Sequence, residues 1–324
     1  MINFLDVNHP LQRVSNDLKS QLIKAQATLL EIEMASAGDL CERTLSDLRI
    51  SCDVPRQLYD SPLSFLTAQS YGDLLRFFAE MLLRAGLPEQ SVLLHAANLT
   101  QRLQLVQAFD DPDKVVDRVQ EKVHEIVDKF PREARDLERG RNPGDVIDPY
   151  ILAATQYLLC GGDFEQAIGA AVSHKALMMI EGLIGHLHED VIGLMRGNVR
   201  APEPRGDDQE ILNLEYNPFP GADVVQPPWS ETRSLRFHQL KSKTGSAKGG
   251  DAKRLGDQLL RLQNFYGGDI YYHALIGNTL QGHRSRAGVE RAAPKVIVLV
   301  GSASFRELTA SETGPQLLLR VYQT

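Results

Sequence analysis

Residues 223–253 read DVVQPPWSETRSLRFHQLKSKTGSAKGGDAK. An aspartate opens a short apolar run, and sixteen residues later Gln239-Leu240-Lys241 closes a second strand-like run. A Gly-rich basic segment and the start of a helical pattern follow. Side chains alternate between the faces of a strand, so Leu235, Phe237, Gln239 and Lys241 share one side of 234–241. Arg236, His238 and Leu240 take the other. This parity allows Gln239 and Lys241 to converge beside the neighbouring strand, where Asp223 sits. Phosphodiester hydrolysis is helped by a divalent cation that offsets charge on the phosphate and activates water. Mg²⁺ prefers oxygen ligands, often one or two carboxylates with several retained waters. Asp223 offers a carboxylate and Gln239 an amide oxygen. Lys241 offers a charge that orients the attacking water or stabilises the pentacovalent phosphorus.

Working outward, strand-like runs at 223–225, 234–241, 269–276 and 295–301 flank a helix at 252–265, with Leu255, Leu259 and Leu262 on one face. Strand, strand, helix, strand, strand is an α+β sheet core with a crossover helix. Upstream, segments 14–34, 62–85, 89–109, 112–130, 148–159 and 164–196 carry apolar residues at helical spacing. Asp111-Pro112 reads as an N-cap and N1 pair, which accounts for the acidic cluster Asp110, Asp111 and Asp113 without a cation. Residues 201–222, rich in Pro, Gly and acid, read as a boundary loop or strand lead-in. These patterns divide the chain into a helical region, 1–160, and a sheet core, 161–324, with the apolar helix 172–196 suited to packing on the sheet.

The 324 residues are 43% hydrophobic and 24% charged, which excludes global disorder. A net charge of −7 gives no overall basic signature, so any nucleic-acid field must be local. Cys41, Cys52 and Cys160 have no metal-type spacing and suit a reducing compartment. No signal peptide is read at the N-terminus and no membrane span anywhere. Cytoplasmic placement without membrane contact is the expectation.

Asp223, then Gln239-x-Lys241 on the next strand, then a helix, resembles the PD-(D/E)XK nuclease superfamily, which includes most type II restriction endonucleases. The resemblance covers roughly the last half of the chain. It implies a restriction-endonuclease-like mixed sheet beside a large helical N-terminal region. It also implies Mg²⁺-dependent cleavage of double-stranded DNA, usually by a homodimer. On this correspondence Asp223, Gln239 and Lys241 are catalytic, with Asp223 and Gln239 at the metal. Gln239 stands where Asp or Glu is usual; Mrr-like members carry Gln there, and a replaced glutamate would look the same. Many relatives place a further acid on the helix before the sheet. Glu189, rather than Glu181, is the candidate third ligand. His186 and His188, two apart on a helix, point to different faces and do not ligate together.

Between Arg233 and Arg254 stand seven Lys or Arg and one acid, Asp251. The segment leads into a helix N-terminus, which attracts phosphate. Lys243, Lys248 and Lys253 are candidates for gripping the DNA backbone, though a solvated loop explains them equally. The loop 277–294 carries Arg284 and Arg286, which can reach a groove where Arg reads guanine, though a disordered surface loop explains them equally. Trp229 and Phe265-Tyr266 stack on bases or pack in the core. Two rivals stand beside the nuclease. One is a non-catalytic DNA-binding or DNA-sensing module with the same fold; the other is a helical interaction protein with an α/β appendage.

Overall fold

A computed structural model describes residues 8–138, 148–203, 212–228, 234–241, 251–276 and 284–309, together with 317 and 321. Several of its helices begin where short polar side chains accept from orphan backbone N–H groups. Ser15 Oγ accepts from Leu18 N at the head of α1 (Asn16–Met34). Ser36 and Asp39 form a reciprocal capping box on α2 (Ala37–Asp47). A short α3 (Ser64–Thr67) precedes α4 (Tyr71–Arg84), which Ser70 caps by accepting from Asp73 N. The periodic run 62–85 is therefore broken in two, because Ser70 offers the backbone a cap in the middle of it. Then come α5 (Glu89–Ala108) and α6 (Pro112–Glu138). Asp111 Oδ1 accepts from Lys114 N at 3.1 Å, as expected of an N-cap followed by proline. Asp148 caps α7 (Pro149–Leu158), and Asp163 Oδ1 accepts from Gln166 N in α8 (Phe164–Gly193).

Among the described residues five strands follow: β1 (Val199–Arg200), β2 (Val224–Gln226), β3 (Arg236–Lys241), β4 (Asp269–Ala274) and β5 (Ile297–Val300), ordered 1-2-3-4-5. β1, β2 and β3 pair antiparallel; β3, β4 and β5 pair parallel. The change of direction has a covalent cause. A parallel neighbour needs a crossover, and α9 (Asp251–Tyr266) and α10 (Arg284–Ala292) supply the two crossovers. A last helix, α11 (Ser302–Thr309), leaves β5 at Gly301, whose φ is +60°. The α+β class read from the sequence is the one observed.

Residues 284–292 are helical rather than part of a loop running from 277 to 294. The run is short and polar enough to conceal its period, and tertiary packing makes it a helix. A Cβ at Gly256 would lie 2.6 Å from Ala292 Cβ, and one at Gly288 would lie 2.8 Å from Ala252 Cβ. Bare glycines on both helices therefore let α9 and α10 approach closely.

By its contacts the chain forms two compact units: Met1–Val116 with Glu189–Thr324, and Asp117–His188. Two cores are seen among the described residues of the first unit. One packs Leu11, Val14, Leu18, Leu22 and Ala25 from the N-terminal segment with Val225, Phe237, Ile270 and Tyr272 of the sheet and Leu255, Leu259 and Leu262 of α9. The other joins α2, α4 and α5 around Cys41, Phe78, Leu82, Leu99 and Leu103. Each fully buried Leu or Phe contributes about 1.5–3 kcal/mol.

Candidate functional site

Asp223 immediately precedes β2, and its backbone N–H donates to His238 O at 2.8 Å, which holds it against the end of β3. The side chains meet there. Gln239 Nε2 donates to Asp223 Oδ2, and the same oxygen accepts from Leu240 N at 2.7 Å. Gln239 Nε2 also lies 3.3 Å from Leu240 O. A carboxylate accepts only, so the amide nitrogen must face Asp223. Both amide hydrogens are then engaged, and the remaining capacity of the group is that of its carbonyl oxygen. Gln239 is buried, Asp223 and Lys241 half-buried. Lys241 follows two residues on, so it stands on the face of Gln239 at the last position of β3.

The location follows from topology. Asp223 immediately precedes β2 while Lys241, Ala274 and Val300 end β3, β4 and β5, so all four lie at one end of the sheet. In open sheets with parallel crossovers, the carboxyl ends of strands are where ligands bind. Helix α9 returns from this end, and its first residues carry Lys253 and Arg254. Lys253 pairs with Asp257 at 3.6 Å and Arg254 with Asp251 at 3.3 Å. Lys253 is exposed, and such pairs yield readily to a phosphate. Arg286 Nε donates to Glu290 Oε1 at 2.8 Å within α10, and Arg284 is the first residue of that helix. Lys243, Lys248 and Trp229 lie outside the described residues.

Glu189 is held differently. Its Oε2 accepts from Arg200 Nη2 at 2.6 Å, while Arg200 Nε reaches Asp190 Oδ1 at 3.3 Å and Nη1 reaches the Asp223 backbone carbonyl at 3.0 Å. By register Arg200 lies opposite Val224, on the face of His238 and Leu240, whereas Asp223 and Gln239 meet on the other. Arg200 thus ties the end of α8 to the strand that presents Asp223. The sequence offered no sign of this, because Arg200 lies on a two-residue strand with no readable pattern. An open cleft of about 1030 Å³ includes Asp17, Asp190, Arg200, Glu203, Glu215 and Tyr216. Its acidic lining disfavours a phosphate backbone.

A second polar cluster lies beneath the sheet. His238 Nδ1 and His273 Nε2 are 2.9 Å apart, and both residues are fully buried. One nitrogen must donate and the other accept, so the two rings are not both protonated. His238 Nε2 and His273 Nδ1 have no hydrogen-bond partner among the described residues. Burial pushes both pKa values down, His273 to about 3, with His273 and Arg236 adding to the effect on His238. Tyr271 stacks on both rings, and Arg236 ion-pairs with Glu307 of α11 beside it. These histidines hold strands together.

Among the described residues, no three His, Cys, Asp or Glu side chains converge as a metal site. No family model matches the chain, and no curated protein matches it either. No helix among the described residues is long and apolar enough to cross a membrane.

Proposed function

We propose that this chain is a Mg²⁺-dependent endonuclease that cleaves double-stranded DNA, of the type II restriction kind, acting as a homodimer in the cytoplasm. One observation carries the reading: Asp223 and Gln239 are hydrogen-bonded across adjacent antiparallel strands, with Lys241 on the same face at the sheet end from which α9 returns. An acid and a Gln-x-Lys triplet on neighbouring antiparallel strands, followed by a helix, is the arrangement the PD-(D/E)XK resemblance calls for. The donor set fits an oxygen-preferring cation in kind, with Asp223 supplying a carboxylate and Gln239 an amide oxygen. It is one formal charge poorer than a site with two carboxylates, so the metal is held weakly. The cation, when bound, offsets charge on the scissile phosphate and lowers the pKa of water.

The chain's own residues do the rest. Leu240 N–H and the Gln239 amide fix the Asp223 carboxylate in place before any substrate arrives. Lys241 sets a positive charge where the phosphate lies. Lys253 at the head of α9 and Arg284 and Arg286 at the head of α10 grip the DNA from the same sheet end. The path avoids the acidic cleft beside Arg200.

A second reading, a DNA-binding module without cleavage, is favoured by the inward turn of Gln239, whose two amide hydrogens are used within the fold. Supercoiled plasmid and phage DNA incubated with the protein and Mg²⁺ separate the two. Defined, mappable ends that disappear with a chelator support the nuclease. Retarded but intact DNA supports the binding module.

A further inference from the structure

The unit Asp117–His188 carries a helix turned inside out. In α7, none of the ten residues is buried, and its apolar stripe is the outward one. Tyr150, Ile151, Ala154, Tyr157 and Leu158 recur at i, i+1, i+4, i+7 and i+8, which places them on one helix face. Tyr150 is 85% exposed, Tyr157 74%, Leu158 81% and the following Leu159 80%. The half-buried positions of this helix include the polar Thr155 and Gln156. A surface helix of a monomer shows the opposite arrangement.

The connection to α8 adds to this surface. Gly162 N donates to Gln156 O and Gln156 Nε2 to Gly162 O, so the turn folds back on α7. Gly161 and Gly162, at φ +57° and +94°, permit that turn. It delivers Phe164, Ile168 and Val172, exposed at four-residue spacing along α8. The exposed stripe of α7, before α8 is added, is on the order of several hundred Å², the size of the largest patch on a typical monomer at about 300–600 Å². One partner of a standard interface contributes about 800 Å².

Charge decides the occupant. Residues 149–162 contain no charged side chain, and no Lys or Arg occurs from 149 to 173. Asp148 caps α7, and Asp163 with Glu165 stands between the stripe of α7 and that of α8. Nucleic acid and an anionic membrane surface would both be repelled by those acids and find no cation to hold them. The stripe of α7 itself carries no charge, so a two-fold axis lets each copy bury that stripe against the other's with the acids at its edge. Permanent homodimer interfaces are the apolar kind.

We propose that the exposed face of α7 and the start of α8 is where two copies of this chain associate. The inference names the surface behind the dimer of the nuclease reading, and it stands or falls independently of cleavage. Sedimentation equilibrium of the full chain across the micromolar range tests it. The unsubstituted protein is expected at dimer mass, and Tyr157→Arg and Leu158→Arg are each expected to weaken dimerisation by about tenfold or more. Both positions are solvent-facing, so the circular dichroism of the variants stays unchanged. Leu93→Arg, at a 67% exposed position of α5, is expected to leave the dimer intact. A monomer throughout, or a dimer indifferent to both arginines, overturns the proposal. So does co-sedimentation of the unsubstituted protein with neutral phosphatidylcholine vesicles, which would make the face a lipid surface.

Discussion

Replacing Gln239 by Glu puts the proposed site under its most informative stress. In the metal-free protein the substitution removes the amide donor to Asp223 and brings a second carboxyl against the first. A hydrogen bond to a charged group is worth about 1.5–3 kcal/mol. Two like charges about 4 Å apart repel by about 4 kcal/mol at an effective dielectric constant of 20. The pair escapes most of that repulsion by sharing a proton, so its upper apparent pKa rises above the ordinary glutamate value. A raised folded-state pKa contributes stability that is fully present below the unfolded value and is lost as pH rises through the folded one. Gln239→Glu should therefore be about 2–4 kcal/mol less stable than the unsubstituted protein at pH 8 without metal, and nearly equal to it at pH 4. Mg²⁺ at pH 8 should restore the difference, because the cation takes the place of the shared proton, and cleavage should persist or rise at lower Mg²⁺. Urea denaturation with and without Mg²⁺ measures all of this. Equal stability of the two proteins at pH 8 in a chelator would refute the Gln239–Asp223 contact, and no Mg²⁺ response would refute the metal site.

Asp111→Ala removes the cap on α6 and should lower stability by about 1 kcal/mol in thermal or urea unfolding, while plasmid cleavage stays unchanged because this helix end carries none of the chemistry. The histidine pair predicts an acid sensitivity: its folded-state pKa values are depressed, so the stability it contributes is present above about pH 6.5. That stability is lost as pH falls toward 3, where His273 titrates. His273→Leu should flatten this part of the stability–pH curve, and an unchanged slope in urea titrations from pH 7 to 4 would show that the pair does not titrate as buried.

How much of this was legible in the sequence depends on whether a pattern was local. The alternation in 234–241 placed Gln239 and Lys241 on one face, and the short apolar run after Asp223 became its antiparallel partner. The leucines of 252–265 gave α9 to within a residue at each end. The cap at Asp111-Pro112 was also readable, since one side chain and one proline suffice. Features made by distant partners were not. Leu11, Leu18 and Leu22 bury against Phe237 and Tyr272, which no window of sequence reveals. Residues 284–292 are helical because Gly256 and Gly288 permit a close crossing, a pairing of two segments thirty-two residues apart. Glu189 was chosen as an acid near a helix end, and the structure supplies the partner, Arg200, that sequence spacing could not. The outward stripe of α7 was visible as periodicity alone; which way it faced was not.

The central claim is that the end of the sheet carrying Asp223, Gln239 and Lys241 cuts DNA, and Lys241→Ala tests it most directly. Lys241 is the last residue of β3 and half-buried, so its loss should leave the fold intact by circular dichroism and thermal unfolding. The account predicts that the unsubstituted protein converts supercoiled plasmid to defined linear products in Mg²⁺, and that Lys241→Ala yields none under the same conditions. A folded Lys241→Ala protein that cuts at the same positions and rate would contradict it.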